Sequence, residues 1–281
     1  MLSSAATKAS PLSYVRTTRS MSGFSPNWLS GVGGDGLLYG FNSGTTPVRV
    51  DPSTGVATVI SSSTATPWDY GLTTVSTTNI MVWLQFSSPN FAVRAVGPYS
   101  GSLLAATQLF AVSSGGFSPQ AIVLDETMTT VYIFYNNTTI ASYTGWNGTT
   151  ATKTVITTSI NSNINRIGRS LDGTFYLTAN GGKNLGSGSV VNYTMTPAGT
   201  ITSMANSINI TGAIAIDADG LPVIPGGSSG TAYLTKVGTS TSTTLNGSSL
   251  TGSTQNIAIN LTTRVIYVLD GTTLYVYTPA Y

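Results

Sequence analysis

Eight aspartates and one glutamate are the acid–base groups with which this chain could do chemistry. Histidine and cysteine are absent. That removes the commonest general base, the imidazole and thiolate metal ligands, and the thiol nucleophile. A serine nucleophile would need an unusual base such as lysine. Asp51, Asp125, Asp172 and Asp217 fall in recurring turns. There a short carboxylate accepts the backbone N–H groups just ahead of it, and turn capping is the role expected of them. Asp217-Ala-Asp219-Gly220 resembles the start of a calcium loop. It lacks the later acidic ligands, and its glycine stands in the wrong place. A paired-carboxylate glycosidase needs its carboxyl groups about 5–10 Å apart. Nothing in the sequence brings Asp35 and Asp69 together. The stretches Gly31-Val-Gly-Gly-Asp-Gly36 and Gly226-Gly-Ser-Ser-Gly230 lack the lysine and following helix of a phosphate cradle, and read as turns. No catalytic group, metal or cofactor is expected.

The remaining candidates are aromatic. Trp28 and Trp68 stand just before two equivalent apolar runs, with Asp69 and Tyr70 beside Trp68. Phe24 and Phe117 open matching Phe-Ser-Pro segments. Such residues either fill wedges between packed units or stack on sugars and anchor a protein contact. Trp83 lies within an apolar run and is expected in the core. Trp146, in a turn beside Asn147-Gly148, is expected at an exposed rim. Seven Asn-X-Ser/Thr sequons occur, at Asn136, Asn137, Asn147, Asn192, Asn209, Asn246 and Asn260. About that many arise by chance in so Asn-, Ser- and Thr-rich a chain, and they are expected to be unused.

Charged residues make up 7% of the chain, against roughly 25% in ordinary soluble domains. With 41% hydrophobic and 9% aromatic residues, there is still enough apolar surface to offset the entropy of ordering. Solubility then rests on Ser, Thr, Asn and Gly. The net charge of +2 and the scattered Lys and Arg argue against nucleic-acid binding. Lys8, Arg16 and Arg19 form the only loose basic group and are candidates for an N-terminal tether. The first residues lack the apolar core of a signal peptide, and no apolar run is long enough to span a membrane.

What positions these residues is a repeat. Asp125, Asp172, Asp217 and Asn260 fall 47, 45 and 43 residues apart. Each sits between an apolar run and a second run rich in aromatic and β-branched residues, as in Ala121-Ile-Val-Leu before Val131-Tyr-Ile-Phe. Weaker copies lie at Leu29–Tyr39 and Leu72–Trp83. A further hairpin follows each copy, most clearly at Asp51-Pro-Ser-Thr-Gly55. Six repeats of several short strands predict an all-β six-bladed β-propeller with four antiparallel strands per blade. The blades are expected near 28–65, 68–113, 117–160, 163–208, 211–253 and 256–281. The last repeat lacks a fourth strand, so residues 12–21 are expected to supply it. Residues 1–11 read as an arm, and 12–281 as a single domain.

Val48-Arg-Val-Asp-Pro-Ser-Thr-Gly55 and Ala213-Ile-Ala-Ile-Asp-Ala-Asp-Gly220 resemble the repeats of NHL and lactonase-like six-bladed propellers. The likeness is generic and implies a fold rather than an activity. Lactonase-like members use Glu, Asn and Asp around a calcium in the central channel. Glu126, placed in a turn beside Asp125, does not fill that position.

The sequence therefore favours a non-enzymatic structural component of a virus particle, of the tailed-phage kind: a capsid decoration, tail or baseplate and fibre protein. Its expected partners are other virion proteins, met through the N-terminal arm and one propeller face within a larger assembly, without nucleic acid or membrane insertion. The alternatives are a carbohydrate- or receptor-binding propeller, outside the cell or at its surface with a host glycan as ligand, and a lactonase-like hydrolase.

Overall fold

A computed structural model describes residues 11, 13–21, 26–63, 73–75, 78–87, 90–113, 119–125, 127–135, 139–156, 163–170, 172–180, 190–204, 214–226, 233–238, 242–246, 249–250, 255–270 and 272–281. Among the described residues, twenty-four strands form six four-stranded antiparallel sheets. The chain opens with β1 (Ser13–Ser20) and then builds five sheets in succession. The first holds β2 (Pro26–Val32), β3 (Leu38–Asn42), β4 (Thr46–Val50) and β5 (Ala57–Val59). The second holds β6 (Thr73–Val75), β7 (Met81–Ser87), β8 (Asn90–Val96) and β9 (Thr107–Val112). The third holds β10 (Pro119–Leu124), β11 (Thr130–Tyr135), β12 (Ile140–Thr144) and β13 (Thr152–Val155). The fourth holds β14 (Asn163–Arg169), β15 (Phe175–Asn180), β16 (Val190–Met195) and β17 (Ile201–Ser203). The fifth holds β18 (Ala215–Ile216), β19 (Pro222–Gly226), β20 (Tyr233–Val237) and β21 (Ser242–Thr244). The sixth joins β22 (Gln255–Ile259), β23 (Ile266–Asp270) and β24 (Thr273–Ala280) to β1. The chain is a six-bladed β-propeller, and each sheet is a blade on its expected segment.

Blades stack face to face, so inner strands are covered on both sides and read as nearly unbroken apolar runs. All five residues of β23 are buried, whereas all four of the outer strand β13 are exposed. The core is divided among the seams. Leu29, Leu38, Val48 and Val50 of blade one meet Ala258, Tyr267, Leu269 and Leu274 of blade six. Trp83 is fully buried in the seam between blades one and two, edge-on to Phe41 at 5.6 Å, which is the core position expected of it.

The ring closes through β1, which pairs antiparallel with β24 from Ser13↔Ala280 to Ser20↔Thr273. This is the closing strand anticipated at 12–21. Residues 1–10 of the anticipated arm, Lys8 among them, lie outside the described residues.

A second device holds neighbours together. The hairpin joining third and fourth strands leans on the outer strand of the preceding blade. A Cβ at Gly55 would lie 2.5 Å from the Ser20 carbonyl oxygen at the end of β1. Leu104 of blade two bonds to Ile60 and Ser62 of blade one, and the Gly148 amide donates to the Leu109 carbonyl at 2.8 Å. Blade six has no such hairpin, because its outer strand comes from the start of the chain. There Asn246 Nδ2 donates to the Tyr14 carbonyl and Arg16 Nη1 to the Ser249 carbonyl, each at 2.9 Å.

Antiparallel order also sorts the loops. Turns between first and second strands, and between third and fourth, open on one face, called here the turn face. The approaches to the first strands lie on the opposite face. β1 starts and β24 ends on the turn face.

Candidate functional site

Six turns between first and second strands gather on the turn face. Among the described residues, each turn carries one with left-handed backbone: Gly36, Asn79, Met128, Gly173, Gly220 and Arg264. In blades one, four and five the amides of Gly36, Gly173 and Gly220 bond to the carbonyls of Gly33, Ser170 and Asp217. These three turns are thus aligned residue for residue.

Their carboxylates act as caps, as the sequence leads one to expect. Asp125 accepts the Thr129 and Thr130 amides on one oxygen, at 2.8 and 2.9 Å, and the Thr127 and Thr129 hydroxyls on the other. Burial pushes its carboxyl up, but these donors outweigh burial and hold it below the ordinary carboxylate range. Asp172 takes the Ser170 hydroxyl and the Thr174 amide, and those bonds, the hydroxyl first, lower it. Asp51, in the hairpin between β4 and β5, is lowered chiefly by the hydroxyl and amide of Ser53. Asp35 accepts the Leu37 amide and the Tyr39 hydroxyl. Burial, then that bond, raises the Tyr39 phenol. Asn260 fills the same role for Thr262 and Thr263.

Blade five departs from the pattern. Here Asp217 itself accepts the amides of Asp219 and Leu221. The Leu221 amide is the one that Asp219, by its position, would have capped. Asp219 instead reaches Lys236 Nζ at 2.6 Å and Arg264 Nη1 at 2.7 Å, while Lys236 also lies 2.5 Å from Asp217. Arg264 belongs to blade six, is 8% exposed, and has a φ of +61°. A long side chain rarely accepts that conformation, so its surroundings hold it there. Burial alone would lower Lys236, but its bonds and charge contacts with Asp217 and Asp219 raise it. Tyr14, at the start of β1, is pushed up to about 12, by burial first and by Asp217 next. This charge network staples blade five to blade six at the point where the ring closes. Asp217 and Asp219, the two acids of the loop that resembles a calcium site, both hold the Lys236 ammonium. Among the described residues, no group of three or more His, Cys, Asp or Glu is placed to hold a metal.

The other candidates do not converge there. Trp28 pairs with Phe41 near the start of β2, towards the face opposite the turns. Its side chain, and Phe24, Trp68, Asp69, Tyr70, Phe117 and Glu126, lie outside the described residues. Trp146 is on the turn face but is only partly exposed. It stacks on Phe110 at 6.0 Å, and Phe110 stacks in turn on Tyr143. The expected free rim tryptophan is therefore an extension of the seam between blades two and three, because its hairpin folds back onto the preceding blade. Arg16 and Arg19 sit on β1 itself. Arg16 lies over the Tyr275 ring as well as bonding to Ser249, and Arg19 donates to the Thr18 carbonyl.

Reading the sequence did not single out Lys236, Arg264 or Tyr14. Two signals were present: a doubled acid in Asp217-Ala-Asp219, and an arginine at a turn position that three other blades give to glycine.

No protein-family model and no curated protein matches the sequence. Solved structures do match by shape. A streptogramin B lyase superposes with a TM-score of 0.58 at 11% identity, covering 97% of this chain and 100% of that one. A gluconolactonase from Xanthomonas campestris gives 0.57 at 12% identity, over 94% and 90%. A β-propeller domain from Myceliophteria thermophila gives 0.55 at 8% identity, over 93% and 99%. At such identities the likeness is one of fold alone.

Proposed function

We propose that this propeller is a non-catalytic structural component of a virus particle, of the tailed-phage kind, which presents rigid faces to neighbouring proteins. The observation that carries the reading is the employment of six of the chain's nine acids. Asp51, Asp125, Asp172 and Asp217 cap turns, Asp35 holds a tyrosine, and Asp219 joins two blades. A hydrolase needs carboxylates that face substrate with separated proton affinities. These six are instead engaged in keeping a ring rigid. A weakly charged, hydroxyl-rich surface over a closed ring suits a part that must persist outside the cell. The neighbours would be met through the N-terminal arm and one propeller face.

Density-gradient fractionation of the source culture, followed with an antibody to the chain, tests this. The chain should sediment with particles at a fixed stoichiometry. A monomer that remains at the top of the gradient and turns over lactones or glycosides would overturn the proposal and restore the enzymatic alternative.

A further inference from the structure

β1 completes a blade without being joined by a hairpin to β24, the strand it pairs with. It is held by its backbone ladder with β24, with Tyr14 and Arg16 adding side-chain contacts. Of its eight side chains only Tyr14 is buried; Arg16 is half-buried and the rest are exposed. Tyr14 belongs to the apolar cluster that includes Val223, Leu234, Ile257 and Tyr277, in the seam between blades five and six. A backbone ladder is indifferent to which chain supplies the strand. The exposed Thr17, Thr18, Arg19 and Ser20 would keep a released β1 soluble.

The geometry points to the β24 edge of blade six as a strand-exchange site, whose partner in trans is residues 13–20 of a second copy of this chain. Exchange is favoured over addition of an extra strand, because the outer edge of β1 is already blunted: Asn246 occupies the Tyr14 carbonyl and Arg19 the Thr18 carbonyl. A second copy therefore gains the ladder, and the Tyr14 slot, by replacing β1. In trans it remakes the cis contacts, so the balance is set by concentration. The tether spans only 21–25, and short tethers correspond to effective concentrations on the order of millimolar. Exchange then emerges where copies are crowded, as they are in an assembly. It does not depend on the particle reading: either could fail while the other stands.

The chain has no cysteine, so single thiols report unambiguously. Val15 and Thr278 face each other in register, and both are exposed. A V15C copy is mixed with a T278C copy and treated with a short thiol cross-linker. A V15C copy mixed with a V59C copy measures random collision, since Val59 is also exposed, on β5. The V15C–T278C heterodimer should exceed the collision pair at least tenfold, rise with protein concentration, and rise further when Gly55→Ala loosens the end of β1. Yields equal to the collision pair at millimolar protein would overturn the inference. The background with Gly55 intact decides the matter if the Gly55→Ala variant does not fold.

Discussion

Gly55→Ala should open the ring at its closing strand. Gly55 has a φ of +74°, and an added Cβ would stand 2.5 Å from the carbonyl oxygen of Ser20, a backbone atom with no rotamer to escape into. The left-handed backbone alone costs an alanine about 1–2 kcal/mol, and forcing an atom into a filled site adds about 1–3 kcal/mol. Gly145→Ala separates the two contributions. Its φ is +59°, and nothing lies within 4 Å of its Cβ position, so only the first cost applies. Urea unfolding should therefore rank Gly55→Ala below Gly145→Ala by about 2 kcal/mol. Because the clash falls on the last residue of β1, amide exchange at 13–20 should speed up by roughly 30-fold in Gly55→Ala. It should be unaltered in Gly145→Ala beyond the global change. Equal destabilisation of the two variants, within about 0.5 kcal/mol, with no local effect on 13–20, would refute the idea that this hairpin pins the closing strand.

Other expectations follow from the same packing. Asp219→Asn leaves the turn cap on Asp217 intact but strips Arg264 of a charge partner, and should cost about 1–3 kcal/mol. Paired with Arg264→Gly, it should show a coupling above about 0.5 kcal/mol in a double-mutant cycle, and additive losses would rule the ion pair out as a staple. At high pH, Tyr14 (about 12 folded, 10.0 ordinarily) and the raised Lys236 both favour the folded state only while protonated. Stability should thus be complete below pH 10 and fall through pH 10–12, more gently in Tyr14→Phe. A flat urea midpoint over that window would contradict it. At low pH, Asp51, Asp125 and Asp172 are held below their ordinary 3.8, so their contribution is complete above that value and lost as pH falls through the folded values. Replacing all three with asparagine should flatten the melting temperature between pH 5 and pH 2, and an unchanged acid limb would show that other groups govern acid unfolding.

Much of this molecule follows from local pattern. Alternating apolar runs, spaced turns with Asp and Gly, and a last repeat short of one strand are enough to predict six blades and the closing role of 12–21, because strand period, turn chemistry and edge pairing act over a few residues. The capping roles of Asp51, Asp125, Asp172 and Asp217 are legible for the same reason. What local pattern could not decide is which side chains meet across a seam. Trp146 reads as a rim residue from its Asn-Gly neighbours, yet it lies on Phe110, because the hairpin's direction is set by the preceding blade. Arg16 reads as part of a basic tether, yet it bonds to Ser249, 233 positions away. Asp219 reads as part of an incomplete calcium loop. Only the approach of blade six, bringing Arg264, makes it a staple. The strands and turns were thus determined by residues close in the chain, and the seams by the stacking of blades, where partners lie tens to hundreds of residues apart and no short-range preference selects them.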